Sequence, residues 1–585
     1  GDNDTIAQLN DLFPGKLSGL NSELLEYIKL LQDVPTLLPK EVFSGLSILS
    51  DQVGSNNWVV SGEHSASGFP LQANDPHLQI DRLPTPFYEF MYQQGDQYAT
   101  GISVPGIPGM TMGRTKFVSF GFTYGKMDQF DFFLEKVKNG AVSRSDGTTP
   151  PLLHRQETIT RKDLEPELFS VFYTEDGHTL ELSNSPRDIG DISDGYYISI
   201  KWVWDYVQAE GLPEFGCGLS YTTADQLATS LQKSAVSCNY LIADKSGNIM
   251  YQQSGAIPQR ADNVSAILPT PAWKYPIWNT IRPYSDLIRL RNPSEGFIAT
   301  ANDDVSRLDP SKHINPVNIH MGPYRAQRAA DIIQGFISQG KKLTVQDMKD
   351  MQLDLYSNRA ARLLPVYLPL LPNSIHAQVL RNWDLRYDAN SKGALLFELL
   401  TFELQTHLAG KLVKDIDAGR FLSTNSSMKR VTFHYFDNIL VEDSNSVHWY
   451  GEEGRDELIR RVALELLGDD SSNRFIQDPN SAYGNTLMPI TFKNIFWHKQ
   501  TSLWDAGPFV QRGNHAVLSV GDFRSIEPEE WNSGASWRFV SDLATDESHT
   551  SLPGGPSGNW WSSFYESDLK LFLTHQFKVL KPQSN

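Results

Sequence analysis

The apolar positions of this chain change period along its length, and the changes divide it. Near the start, Leu20, Leu24, Leu25, Ile28 and Leu31 recur at helical spacing, with Asn21-Ser22-Glu23 as a start signal and Pro35 as a stop. Residues 1–54 therefore read as a mostly helical segment. From Ser55 to about Ser306 the pattern becomes that of strands. Trp58-Val59-Val60 and the runs 117–123, 197–202 and 239–243 are rich in β-branched and aromatic residues, separated by turn formers such as Ser246-Gly247-Asn248. From about 323 to 475 helical spacing returns, in Ala329, Ile332, Ile333, Phe336 and Ile337 and again in Leu395, Leu396, Leu399 and Leu400. Such stripes are packing faces. The remainder, 476–585, is mixed.

Composition narrows the function more than the fold. The 585 residues are 40% hydrophobic and 21% charged, which supports a sizeable core and argues against disorder or a fibre. A formal net charge of −18 argues against nucleic acid and anionic membrane surfaces, both of which attract basic patches. No apolar run reaches the ~18 residues of a membrane span. The richest, residues 363–371, is broken by Pro365 and Pro369. Cys217 and Cys238 either form one disulfide or stay as buried thiols.

The first change of period carries chemistry. In Gly54-Ser55-Asn56-Asn57-Trp58-Val59-Val60 a hydroxyl stands at the head of an apolar run. A serine is a weak nucleophile until a base takes its proton. Cutting Gly54–Ser55 would give Ser55 an α-amine of its own, with a pKa of ~8 in model compounds, to serve as that base. Alone, the tetrapeptide reads as a turn. The run Asn74-Asp75-Pro76-His77-Leu78, then Pro105-Gly106-Ile107-Pro108-Gly109 and Phe120-Gly121-Phe122-Thr123, follow in order at close spacing. Further on come residues 239–260, Gly534–Leu543 and Leu552–Gly558. Together these motifs resemble the heavy chain of the penicillin acylase family of N-terminal nucleophile hydrolases, over most of residues 52–575.

The resemblance implies an α+β fold of four layers, two antiparallel sheets between helices (αββα), with a helical insertion. It implies that residues 1–54 are the remnant of a light chain and that 55–585 form the nucleophile-bearing chain, core strands about 55–306, helical region about 323–475 and a closing segment about 476–585. Family members carry a longer light chain than the 54 residues ahead of Ser55. The implied catalytic set is Ser55, His77 at the nucleophile's amino end, the backbone N–H of Tyr124 and the side-chain amide of Asn302 as oxyanion donors, and Arg325 beside the nucleophile. Arg328 stands one helical turn away, and a surface salt bridge is the plain alternative for either arginine. Leu78 and Met112 fall where members that bind aromatic acyl groups tend to carry phenylalanine, which points to an aliphatic acyl pocket. Asp128, Phe130 and Asp131 fall where the family often holds one structural calcium through two carboxylates and a carbonyl. Two aspartates three apart also suit the head of a helix.

The expected function is hydrolysis of an N-acyl amide through an acyl-Ser55 intermediate, after self-cleavage of Gly54–Ser55, with no cofactor for catalysis. The partners expected are the small-molecule substrate and the chain's own light chain, in an extracytoplasmic compartment. The alternative is an uncleaved relative that only binds a hydrophobic ligand or partner. No Gly-x-Ser-x-Gly elbow supports a conventional serine hydrolase.

Overall fold

The structure, a computed structural model, describes residues 2–14, 20, 22–29, 54–107, 109–175, 179–181, 194–203, 220–262, 264, 268–312, 320–412, 426–442, 446–522 and 533–583. Two antiparallel sheets stack at its centre. The first runs in the order β5 (Phe297–Thr300), β1 (Gly54–Val60), β2 (Leu71–Gln79), β6 (Arg538–Asp542), then strands Ser548–Ser551 and Lys578–Leu580. The second centres on β3 (Val118–Tyr124) and β4 (Cys238–Asp244).

Strand alternation builds the layers, because successive side chains point to opposite faces. Trp58 and Val60 of β1, with Leu71 and Ala73 of β2, pack on Ala329 and Ile333 of helix Tyr324–Ser338 and on Met348 and Met351 of helix Val345–Gln352. Val59 and Ile298 point the other way, onto Leu241, Ala243, Ile249 and Tyr251 of the second sheet. Beyond that sheet, Tyr240 and Ile242 meet Leu227, Ala228 and Leu231 of helix Ala224–Leu231. The order is helix, sheet, sheet, helix, the αββα arrangement expected. Ile298 is 2% exposed between the sheets. Its truncation to alanine would cost about 2–5 kcal/mol.

Helix Val345–Gln352 starts at a reciprocal cap. Thr344 Oγ1 accepts from the Asp347 N–H at 3.2 Å, and the Asp347 carboxylate accepts from the Thr344 N–H at 2.8 Å. Helices Asn358–Tyr367, Ile375–Arg381, Lys392–Leu412, Ser426–Glu442 and Arg455–Leu467 enclose a separate large apolar cluster. Leu12 of helix Asp2–Leu12 belongs to that cluster. Gln8 Nε2 on that helix donates to His448 O at 2.9 Å, so the N-terminal segment docks on the helical region.

Residues 118–123 of the first run, and the runs 197–202 and 239–243, lie in strands, and the stripes 329–337 and 395–400 in helices. Helix Ser22–Lys29 covers part of the first apolar stripe; Leu31 and Pro35 lie outside the described residues. Among the described residues, no helix is long and apolar enough to cross a membrane. Cys238 is a buried free thiol, pushed up to about 12 by burial, and Cys217 lies outside the described residues.

Candidate active site

The β1–β2 register pairs Gly54 with His77, Ser55 with Pro76 and Asn56 with Asp75. Alternation then sorts them. Gly54, Asn56, Asp75 and His77 face the helices, whereas Ser55, Asn57 and Val59 face the second sheet. Ser55 is 1% exposed. Its Oγ–H donates to Gly54 O at 2.5 Å, so the hydroxyl lies against the carbonyl of the bond expected to be cut.

Asn302 sits two residues past β5, which pairs with β1 through Asn57 and Thr300. Its φ of +65° is left-handed backbone, which asparagine tolerates better than most residues. Its Oδ1 accepts the Ser55 N–H at 2.7 Å, and its Nδ2 donates to Tyr124 O at 3.0 Å. The amide expected as an oxyanion donor is thus turned to the Tyr124 carbonyl while the chain is continuous. Tyr124 ends β3 opposite Cys238, and burial raises its hydroxyl to about 12.

Arg325, second in helix Tyr324–Ser338, is 2% exposed and ties the site together. Its Nη1 donates to Ser55 O at 2.8 Å and to Asn56 Oδ1 at 2.7 Å. Its Nη2 donates to Ala301 O at 2.8 Å and to Asn302 Oδ1 at 3.1 Å. Arg328 pairs with Asp354 at 2.7 Å and takes no part. A Cβ placed on Gly54 would stand 3.4 Å from His77 Nδ1, 3.5 Å from Asn302 Oδ1 and 3.7 Å from Arg325 Nη2. Three polar groups therefore converge on the residue that precedes the nucleophile.

Four buried residues beneath this cluster were not singled out from the sequence. Asp75 Oδ2 lies 2.7 Å from His77 Nε2 and accepts from Asn56 Nδ2 at 3.0 Å; Gln352 Nε2 donates to Asp75 Oδ1 at 3.2 Å. Burial pushes the Asp75 carboxyl well above the usual carboxylate range, against the pull of Arg538, Asn56, Arg325 and Gln352. Burial also lowers Arg538 to about 10, opposed by Asp75. Asp75 stands two residues before His77 in a strand, hence on the same face, and that spacing was a readable signal.

Met112 is fully buried among Met110, Phe120, Phe122, Trp537 and Phe539, and Leu78 packs against the same cluster.

The calcium expectation does not fit. Asp128 and Asp131 stand at the start of strand Phe130–Lys138 and not at a helix head. The Arg260 guanidinium fills the space between their carboxylates: Nη2 reaches Asp128 Oδ2 at 2.7 Å and Nε reaches Asp131 Oδ2 at 2.9 Å. Trp278 Nε1 donates to Asp131 Oδ2 at 2.5 Å. Phe130 pairs with Trp202 in the sheet. An internal cation thus stands where a hard metal ion would have to bind. Among the described residues, no group of three or more His, Cys, Asp or Glu side chains is placed to hold a metal.

Known proteins show what the chain is similar to. An acyl-homoserine lactone acylase QuiP of Pseudomonas syringae pv. tomato is 27% identical over 97% of this chain and 70% of its own length. One from Pseudomonas aeruginosa is 26% identical over 62% of this chain and 43% of its own length. The penicillin G acylase of Escherichia coli is 24% identical over 44% of this chain and 30% of its own length. In structure, the chain resembles a thermostable penicillin G acylase from Alcaligenes faecalis, with a TM-score of 0.68, 16% identity and coverage of 91% and 98% of the two chains. The family profile described as penicillin amidase matches residues 3–583, and the chain belongs to that family.

Proposed function

We propose that this chain is the precursor of an amidohydrolase that frees its own nucleophile. The observation that carries the reading is the placement of Ser55. Its hydroxyl lies on the Gly54 carbonyl at 2.5 Å while its N–H is held by Asn302 Oδ1 at 2.7 Å. Attack of Oγ on the Gly54 carbonyl carbon, with the hydroxyl proton passing to the Ser55 nitrogen, breaks the C–N bond and leaves an ester. Water then hydrolyses the ester, giving a Gly54 carboxylate and a Ser55 with both hydroxyl and amine free. Helix Asp2–Leu12, docked through Leu12 and Gln8, keeps the light chain attached.

In the mature enzyme the α-amine takes the Oγ proton as Oγ attacks a substrate amide carbon. The tetrahedral oxyanion receives the Tyr124 N–H and the Asn302 Nδ2 once that amide turns from the Tyr124 carbonyl; one such donor is worth ~10²–10³ in rate. Collapse passes the proton to the departing amine and leaves acyl-Ser55, which water hydrolyses. The Arg325 charge disfavours a protonated amine and so keeps the base available near neutrality. Leu78 and Met112 favour an aliphatic acyl group. The names of the relatives make acylated homoserine lactones and penicillins the first amides to assay. An extracytoplasmic location follows from the same reading, checked by cell fractionation.

Intact mass and N-terminal sequencing test the reading. The expected result is a fragment beginning at Ser55 in the wild type and an uncut, inert Ser55→Ala. Wild type that stays full length after prolonged incubation, or Ser55→Ala with wild-type hydrolysis rates, would overturn it.

A further inference from the structure

We propose that Asp75 is the positioning residue that fixes His77 as a hydrogen-bond acceptor toward the α-amine uncovered at Ser55. The proposal rests on the reading above and assigns the charge partner of His77. The register sets the geometry. His77 lies across the ladder from Gly54, and its Nδ1 would stand 3.4 Å from a Cβ placed on Gly54. Its other nitrogen, Nε2, is 2.7 Å from Asp75 Oδ2. Because the Ser55 side chain points to the opposite face of β1, His77 acts on the nitrogen of Ser55 and not on its hydroxyl.

Proton counting then decides what Nδ1 offers. With one proton shared by the pair, a carboxylate at Asp75 accepts Nε2–H and leaves the Nδ1 lone pair facing the amine. With two protons on the pair, Nδ1 carries hydrogen and presents a donor. Only the first state suits catalysis. A neutral amine has two N–H bonds and one lone pair. If Nδ1 and Asn302 Oδ1 accept the two N–H bonds, the lone pair is left for the Oγ proton. Asn302 Oδ1 already accepts from this nitrogen at 2.7 Å.

Asp75 is held for this task from four elements. Asn56 Nδ2 comes from β1 at 3.0 Å, Gln352 Nε2 from helix Val345–Gln352 at 3.2 Å, and the Arg538 charge acts from β6. Arg325, from helix Tyr324–Ser338, also acts on the carboxylate. Among the described residues, these two arginines are the charged groups that act on the Asp75 carboxyl; both favour the ionised form that the one-proton state needs, against the burial that raises it.

Two measurements test the proposal. The first is the nitrogen-15 shift of the His77 ring in uncut Ser55→Ala, identified by its loss in a His77→Gln control. The expected result near pH 8 is a proton on Nε2 and none on Nδ1; a proton on Nδ1 overturns the proposal whatever the enzyme does. The second compares Asp75→Asn, His77→Gln and the double variant, each normalised to the fragment beginning at Ser55. Asp75→Asn is expected to lower kcat by roughly 10²-fold and to shift the acid limb of the kcat–pH profile. The double variant should fall no lower than His77→Gln alone. A wild-type kcat and pH profile in Asp75→Asn, or additive losses in the double variant, overturns it. Failure of the underlying function shows separately, as an uncut or inert wild type, before any Asp75 variant is read.

Discussion

Replacing Arg260 by alanine tests whether this chain carries its own cation where relatives by resemblance would hold calcium. Arg260 reaches Asp131 Oδ1 at 3.1 Å and Oδ2 at 2.9 Å, Asp128 Oδ2 at 2.7 Å and Asp128 O at 3.2 Å. Asp131 is 2% exposed, so removal of the guanidinium leaves a buried carboxylate facing a second one. Breaking a buried ion pair from one side costs about 3–5 kcal/mol. The Trp278 N–H stays on Asp131, and the Asp128 side chain is 11% exposed, which places the cost at the lower end, about 3 kcal/mol. Thermal unfolding is the assay, and a drop on the order of 5 °C is expected at roughly 2 °C per kcal/mol for a large unit.

Metal dependence is the sharper readout. Wild type should unfold at the same temperature with chelator, without it and with added calcium. Arg260→Ala uncovers the Asp128 carbonyl and the carboxylates of Asp128 and Asp131, oxygens that suit a hard cation. Calcium at 100 times its Kd would return about 2.7 kcal/mol by linkage. A wild-type Tm that falls by several degrees in chelator would refute the reasoning, because it would mean that a metal and not Arg260 balances Asp128 and Asp131.

Three further outcomes follow from named contacts. Arg325→Lys keeps the charge but loses the fork that spans Ser55 O, Asn56 Oδ1, Ala301 O and Asn302 Oδ1; the rate at which the Ser55 fragment appears should fall roughly tenfold or more, measured by mass. Met112→Phe should shorten the preferred acyl chain in a length series, with kcat/KM for long chains falling more than for short ones; an unchanged profile would make Met112 plain core. Burial, then the nearby His320, lowers His434 to about 4, below its ordinary 6.5. Because the depressed group is a base, its contribution to stability is complete above pH 6.5 and is lost as pH falls toward 4, at up to ~3 kcal/mol, so His434→Phe should flatten that part of a urea midpoint–pH curve.

Much of this molecule was legible before any coordinates. The strands at 58–60, 118–124 and 239–243 declare themselves because each is buried on both faces and so reads as a continuous run of β-formers, and helix Tyr324–Ser338 because one stripe of it packs on β1 and β5. Asn302 and Arg325 were reachable only through resemblance. Each stands at the end of an element, and what brings them to Ser55 is the pairing of β1 with β5 and the packing of a helix across it. No local pattern encodes such contacts. The calcium expectation failed for the same reason: Arg260 is 129 residues from Asp131 along the chain, and neither the spacing nor the chemistry of the two aspartates shows that a guanidinium will lie between them.

The two faces of β1 explain why one strand can serve both as scaffold and as nucleophile carrier. A strand in a four-layer sandwich is buried on both sides, so every polar side chain at its start must be satisfied or cost about 1–3 kcal/mol. Ser55 and Asn56 are consecutive and therefore point apart. Asn56 is met on the helix side by Asp75, Arg325 and Leu518 O, while Ser55 turns its hydroxyl back onto Gly54 O. The helix side thus gathers the charges, Asp75, His77, Arg325 and Arg538, and the sheet side carries the Ser55 hydroxyl among uncharged polar groups such as Thr123 and Thr300. The backbone nitrogen of Ser55 lies between the two sets. Cutting the Gly54–Ser55 bond would convert that nitrogen from an amide into a base at the one position where the charged face can tune it and the hydroxyl can use it.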